Sequence, residues 1–398
     1  MSDRALIASL CLAEVLGMLG ISAFAALLPM LQVEWSLSNA DAGWINGIYF
    51  AGYMLAVPVL VALTDRVDAR GIYLVATALS GIALLGFATL AGGFWTAMLF
   101  RGFSGIALAG TYMPGLKALA DRLDGGVGAR AVAFYTASFG IGVSSSFLLT
   151  GLLIDVVPWP WVFGLLAIGA PAAMLVAGRV LARRPAVEAP PSPRGHLLDF
   201  RPVFANRRAL GYILAYTAHN WELFGVRGWL VAYLVWVQAR QPGYAGWDAT
   251  LIATVVSLLA VPASIIGGEI ALRGHRRRVI SVVMALSATL AVAVGFASGL
   301  PFPWLVALVL LHAPFIAMDS AAITTGAVAA APPGGRGAVM AMHSFIGFAG
   351  AFTGPLAFGL VLDAAGPDSA LGWGLAFASL AVGLLLGPLA LAICGRKG

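Results

Sequence analysis

Apolar runs long enough to cross a lipid bilayer recur along almost the whole chain. About twelve can be marked, the first over 5–31, the seventh over 209–236 and the last over 370–394. Of the 398 residues, 61% are hydrophobic and 10% charged, against roughly 25% charged in a soluble domain. So few charges cannot clothe a surface facing water, whereas in lipid the outer surface must be apolar. Lipid also offers the backbone no hydrogen-bond partners, so a chain with runs of this length must cross as helices. The expected fold is an all-α integral membrane protein of twelve transmembrane helices in two pseudo-symmetric six-helix bundles.

The net charge is +6, and its placement says more than its sign. All Lys and Arg except Arg101, Arg227 and Arg240 fall in or beside alternate connections or at the two termini. These include Arg66 and Arg70, Arg122 and Arg130, the run from Arg183 to Arg208, Arg273 to Arg278, and Arg336. Positive charge stays on the cytoplasmic side, which puts both termini there. Basic residues that flank apolar spans speak for membrane topology and against nucleic acid. The expected location is the cell inner membrane of a bacterium. Cys11 and Cys394 have no spacing that suggests a metal site or a disulfide framework. The first apolar stretch is too long for a signal-peptide core and carries Glu14, so it reads as a retained helix.

A Pro-rich stretch at 185–193 marks a linker. It divides the chain into a first bundle at 1–182, a connection at 183–208 that includes a possible interfacial helix, and a second bundle at 209–398. The two halves repeat. Arg66 and Arg70 align with Arg273 and Arg277 at an offset of 207, while Gly142, Gly151 and Asp155 align with Gly350, Gly359 and Asp363 at 208. Two separate regions share nearly one offset, as expected of duplicated halves around a central site.

The loop Ala62-Leu-Thr-Asp65-Arg66-Val-Asp-Ala-Arg70 resembles the Gly-x-Leu-Ala-Asp-Arg-x-Gly-Arg-Arg signature of the major facilitator superfamily, with Val61 and Asp68 at its Gly positions. Arg101-Gly-Phe-Ser-Gly105 is similar to the family's Arg-x-x-x-Gly motif. Gly350-Ala-Phe-Thr-Gly354-Pro355 resembles its Gly-x-x-x-Gly-Pro motif, but in span eleven. The antiporter form belongs in span five, where no Pro follows Gly140-Ile-Gly142. The resemblance implies a two-bundle fold, one central site and alternating access. It further implies a cytoplasmic latch of Asp65, Arg66, Arg70, Arg273 and Arg277, with Gly354 and Pro355 in the helix that Asp65 would cap.

Ionisable side chains at mid-membrane are functional candidates by default. Glu14 lies about nine residues into span one, ~14 Å along the helix. Its repeat position is Trp221, beside Glu222. His219 and Glu222 sit three residues apart in span seven, on one face. Asp319 is near the middle of span ten, with His312 seven residues before it. Arg101 is the expected counter-ion of the first half. Arg227 reads as a residue nearer the outer end of its span, where it would snorkel. The candidates for substrate or proton binding are therefore Glu14, Arg101, His219, Glu222, His312 and Asp319. Each has a plainer reading as a satisfied core group. Asn46, Tyr49, Tyr53, Tyr112, Tyr216, Asn220 and Trp221 are candidate cavity-lining residues, with apolar bodies and polar tips.

No metal-ligand cluster, nucleotide-binding loop or nucleophile elbow is evident, which argues against an enzyme or an ATP-driven pump. The expectation is a secondary transporter that moves a small organic solute by alternating access. It would be coupled to protons, need no cofactor, and act as a monomer in the bilayer. The alternatives are a sodium-coupled carrier or a uniporter, or a non-transporting receptor or assembly factor built on the same fold.

Overall fold

The computed structural model describes residues 2–64, 66–123, 125–183, 201–332 and 335–395. Asp65, Gly334 and most of the Pro-rich linker lie outside these residues. Helices account for the described secondary structure. They are α1 (Asp3–Gly17), α2 (Ala23–Ala26), α3 (Leu28–Glu34), α4 (Asn39–Leu63), α5 (Ala69–Leu90), α6 (Phe94–Ala120), α7 (Gly125–Ile154), α8 (Trp159–Leu166) and α9 (Gly169–Val180). After the linker follow α10 (Arg201–Ala205), α11 (Arg207–Gln238), α12 (Ala249–Arg273), α13 (Arg276–Phe296), α14 (Phe302–Met318), α15 (Ser320–Ala330), α16 (Arg336–Ala365) and α17 (Ala370–Gly395).

Among the described residues nine stretches are long and apolar enough to cross a membrane. Helices also fill the other three expected spans, as α1 to α3, as α6 and as α11. The first of these was expected to be continuous, but it is broken. Gly17 ends α1, turns occupy 18–22, and Pro29 opens α3. Glycine and proline weaken the helix here, and neighbouring helices supply what the break exposes. The Arg101 guanidinium donates to the Ile21 carbonyl at 3.1 Å, and the Ser22 N–H donates to Ser146 Oγ at 2.9 Å. Irregular backbone at membrane depth is tolerated where protein satisfies it in this way. Span ten is also interrupted, at Asp319 between α14 and α15.

Contacts divide the chain into two compact units. One comprises Met1–Phe24 and Ala51–Leu197, the other Ala25–Phe50 and Leu198–Gly398. In the first, Leu10, Ala13, Tyr73, Leu119 and Tyr135 form the core. In the second, Tyr212, Ile280, Met284, Ile323 and Leu384 do so. Large apolar side chains such as Leu55, Val75, Ile82, Val382 and Leu386 face outward, as lipid demands.

The repeated arginines have matching local roles. Arg70 donates to the Gly178 carbonyl near the end of α9, at 3.0 Å. Arg277 donates to the Gly395 carbonyl at the end of α17, at 3.1 Å. Each neutralises the negative end of the last long helix of its own half. Asp65, the centre of the expected latch beside Arg66, lies outside the described residues, and Arg273 reaches Glu269 at 3.9 Å on the surface. In the second unit the Asp363 carboxylate caps the start of α4, accepting the Asn39 and Ala40 N–H groups at 3.1 and 2.7 Å.

The span-eleven glycine motif works as a packing surface. Gly347, Gly350 and Gly354 lie along one face of α16 against α11, where a Cβ would meet the Tyr216 ring, the Thr217 carbonyl and the Trp221 carbonyl respectively. Pro355 follows, and its carbonyl accepts the Trp229 indole N–H at 2.9 Å. Gly350→Val drives a branched side chain into backbone that cannot move aside. It is expected to lower stability by about 1–3 kcal/mol or more, read as a lower unfolding temperature in detergent. Gly164→Val, where a Cβ meets nothing within 4 Å, is the control. Equal midpoints for the two variants would remove the close-packing role of Gly350.

Candidate functional site

In the first unit the site centres on Glu14 of α1, which is 3% exposed. The Ser138 hydroxyl of α7 lies 2.5 Å from Glu14 Oε2 and 2.7 Å from the Tyr135 carbonyl. The other carboxyl oxygen, Oε1, has no hydrogen-bond partner among the described residues. Arg101, expected as the counter-ion, is spent on the Ile21 carbonyl and lies 5.8 Å from the centroid of the Phe24 ring. Glu14 forms no ion pair among the described residues. The break in the first span explains the difference, because its exposed carbonyl competes for the guanidinium. Nearby, Tyr112 stacks on Tyr135 with centroids 6.1 Å apart. Tyr53 is buried in α4.

The second unit holds two acid–imidazole pairs. Glu222 Oε1 is 3.1 Å from His312 Nε2, and Ser287 Oγ lies 2.8 and 2.9 Å from the two Glu222 oxygens and 3.1 Å from the same His nitrogen. These three side chains from α11, α13 and α14 close a triangle, and all are buried. His219 Nδ1 is 2.8 Å from Asp319 Oδ1. That contact is an electrostatic one, since its angles fall outside hydrogen-bond geometry. The three-residue spacing suggested that His219 and Glu222 act on one face. Instead each finds its partner on another helix.

Around these pairs, Tyr216 stacks on His343 at 4.0 Å and on His219 at 5.7 Å. His343 Nε2 is 3.3 Å from the Thr324 hydroxyl. The Asn220 side chain donates to the Gly347 carbonyl at 3.0 Å, and the Trp221 indole donates to the Ser379 carbonyl at 3.2 Å. Asn46 reaches the Gly228 carbonyl at 3.4 Å, and Tyr49 is buried against Phe50 at 5.1 Å. Ser138 and Ser287 were not among the sequence candidates. A membrane helix is full of serines, and only contacts 124 and 65 residues away in sequence single these two out.

Among the described residues no group of three or more His, Cys, Asp or Glu could hold a metal ion. Residues 10–355 match the family model for the Major Facilitator Superfamily. The chain belongs to that superfamily. No curated protein sequence matches it. Among solved structures, a bacterial homologue of the human lysosomal transporter Spinster, inward-facing and unoccupied, is 16% identical. That likeness covers 98% of this chain and 95% of the other, with a TM-score of 0.74. The nucleoside transporter NupG is 14% identical over 99% of this chain and 100% of its own, with a TM-score of 0.77. The human organic anion transporter MFSD10 is 18% identical over 98% and 100%, with a TM-score of 0.68. This superfamily member is a multi-pass membrane transporter with an all-α fold.

Proposed function

We propose that this protein is a proton-coupled secondary transporter of a small organic solute, working by alternating access without a cofactor. The observation that carries the reading is the company kept by its buried carboxyls. Glu14, Glu222 and Asp319 are each held by a hydroxyl or an imidazole, partners that exchange protons, and none is tied to a permanent Lys or Arg cation among the described residues.

The hydrogen bonding at Glu14 supports a protonated form. One Ser138 hydroxyl proton cannot serve both Glu14 and the Tyr135 carbonyl. If Glu14 carries a proton and donates it to Ser138 Oγ, the Ser138 proton is free for the carbonyl, and both short contacts are used. In the second unit, one proton shared by Glu222 and His312 leaves the pair neutral, as does one shared by His219 and Asp319. Buried charge is tolerated only when compensated in this manner.

Purified protein in sealed vesicles tests the reading. Labelled carboxylates, amines, nucleosides and sugars are offered under an imposed pH gradient. At least one class is expected to accumulate, and a protonophore should collapse the accumulation. Accumulation that follows a sodium gradient instead would replace the coupling ion, and equilibration without accumulation would leave a uniporter. The proposed setting is a cell inner membrane, with the chain monomeric and both termini cytoplasmic. A reporter fused after Gly398 should read cytoplasmic, and the opposite readout would overturn the orientation.

A further inference from the structure

Arg227 stands apart from the other buried charges. It lies about 11 residues, ~16 Å, before the end of α11, and its neighbours Phe224 and Tyr216 lie toward the middle of that helix, so the side chain turns away from the outer end instead of snorkelling to it. Its guanidinium carbon is 5.5 Å from the centroid of the Phe224 ring, and the Tyr216 phenol is its ionisable neighbour. Among the described residues no Asp or Glu pairs with it. Glu222, five residues away, points about 140° round the helix toward Ser287 and His312, and Asp319 is engaged by His219.

The surroundings of Arg227 are accessible but not open to lipid. From Ala215 to Leu234 no residue of α11 is exposed, so this stretch has no lipid-facing stripe. Tyr216, Leu223 and Arg227 are partly accessible, and together with Asn220 they fall at i, i+4, i+7 and i+11, on one face. Beside that face Phe224 packs on Phe50 at 4.0 Å and on Phe348 at 5.8 Å, and Phe348 lies 6.3 Å from Tyr216. The result is one uncompensated guanidinium next to an aromatic wall.

An unpaired guanidinium away from bulk water lowers its energy by gaining an anion. Its fork of N–H donors matches a carboxylate at two points. Aromatic rings favour a flat or apolar body. A single cation balances a single negative charge, which favours a monoanion over a dianionic phosphate. We propose that Arg227 is the anion-recognising residue of the transport site and that the substrate is an organic monocarboxylate with an aromatic or apolar body. This rests on the transport reading above and names its substrate class. An amine would meet like charge, and a neutral solute would leave the guanidinium uncompensated.

Binding without any gradient separates this inference from the coupling. Purified protein in detergent at fixed pH is titrated with phenylacetate, benzoate, phenylacetamide, phenethylamine and uridine, followed by tryptophan fluorescence and thermal shift. The carboxylates are expected to bind at least about tenfold more tightly than the amide, the difference made by charge-assisted hydrogen bonds. Arg227→Gln should erase that preference. Arg227→Lys, which keeps the charge but loses the fork, should fall between the two and serves if the Gln variant does not fold. The inference is overturned if no carboxylate binds, if amide, amine or uridine binds as well as phenylacetate, or if a folded Arg227→Gln keeps the preference. Any of these would leave proton coupling standing. Carboxylate binding in detergent combined with no gradient-driven accumulation in vesicles would uphold the inference and overturn the coupling alone.

Discussion

Glu14→Gln is expected to abolish accumulation driven by a pH gradient while exchange of the same solute at equal pH on both sides stays measurable. Gln has nearly the shape of Glu, and its amide can still bond to the Ser138 hydroxyl that lies 2.5 Å from the carboxyl. What it cannot do is bind and release a proton. With one proton moved per solute, a gradient of one pH unit sustains about a tenfold concentration ratio. The variant should bring that ratio to one. Glu14 ranks first among the three carboxyls because, among the described residues, it alone has no imidazole beside it to share a proton, and its Oε1 accepts no hydrogen bond there. Full accumulation by Gln variants at Glu14, at Glu222 and at Asp319, each measured alone, would end proton coupling through these groups.

The second large effect concerns the Glu222–His312 pair. His312→Leu leaves the carboxyl buried with the Ser287 hydroxyl as its one remaining close partner among the described residues. Breaking a buried pair in this way lowers stability by about 3–5 kcal/mol, a loss readable as a much lower unfolding temperature. Glu222→Met combined with His312→Leu removes both charges and fills their space with apolar atoms, and it should recover most of that stability. The double variant should nevertheless fail in gradient-driven accumulation. A double variant that is stable and fully active would reduce the pair to a structural relic. One as unstable as His312→Leu alone would show that the pair holds the helices together.

The sequence made the helical architecture legible because run length alone marks the spans. The alternate-loop arginines carry the proposed orientation. The repeat offset of 207 to 208 residues is legible too, as it rests on rows of identical residues. The breaks were harder. The turns at 18–22 and the interruption at Asp319 occur inside apolar stretches, and at the first of them Arg101 and Ser146 meet the freed backbone from elsewhere in the chain. The pairing of acids with imidazoles was not legible at all. Glu222 meets His312 from 90 residues away, while local spacing pointed to His219. Arg227 reads from sequence as a charge nearer the outer end of its span, where it would snorkel; the direction of its side chain and its lack of an acidic partner among the described residues are encoded in no local pattern.

The acid–imidazole pairs also bear on how the protein answers to voltage. A charge carried across a membrane gains or loses about 2.3 kcal/mol per 100 mV, and one starting from the middle about half as much. A Glu222–His312 pair holding one proton presents no net charge to the field, so its movement involves no electrical work. Once that proton has left, the pair carries a full negative charge. The Arg227 cation balances that charge in the proton-depleted half, and a carboxylate held by Arg227 balances the cation in the loaded half. A cycle of one proton and one carboxylate should therefore run at the same speed in vesicles clamped at opposite polarities, whereas a neutral solute would leave the loaded half with one positive charge and make that half voltage-dependent.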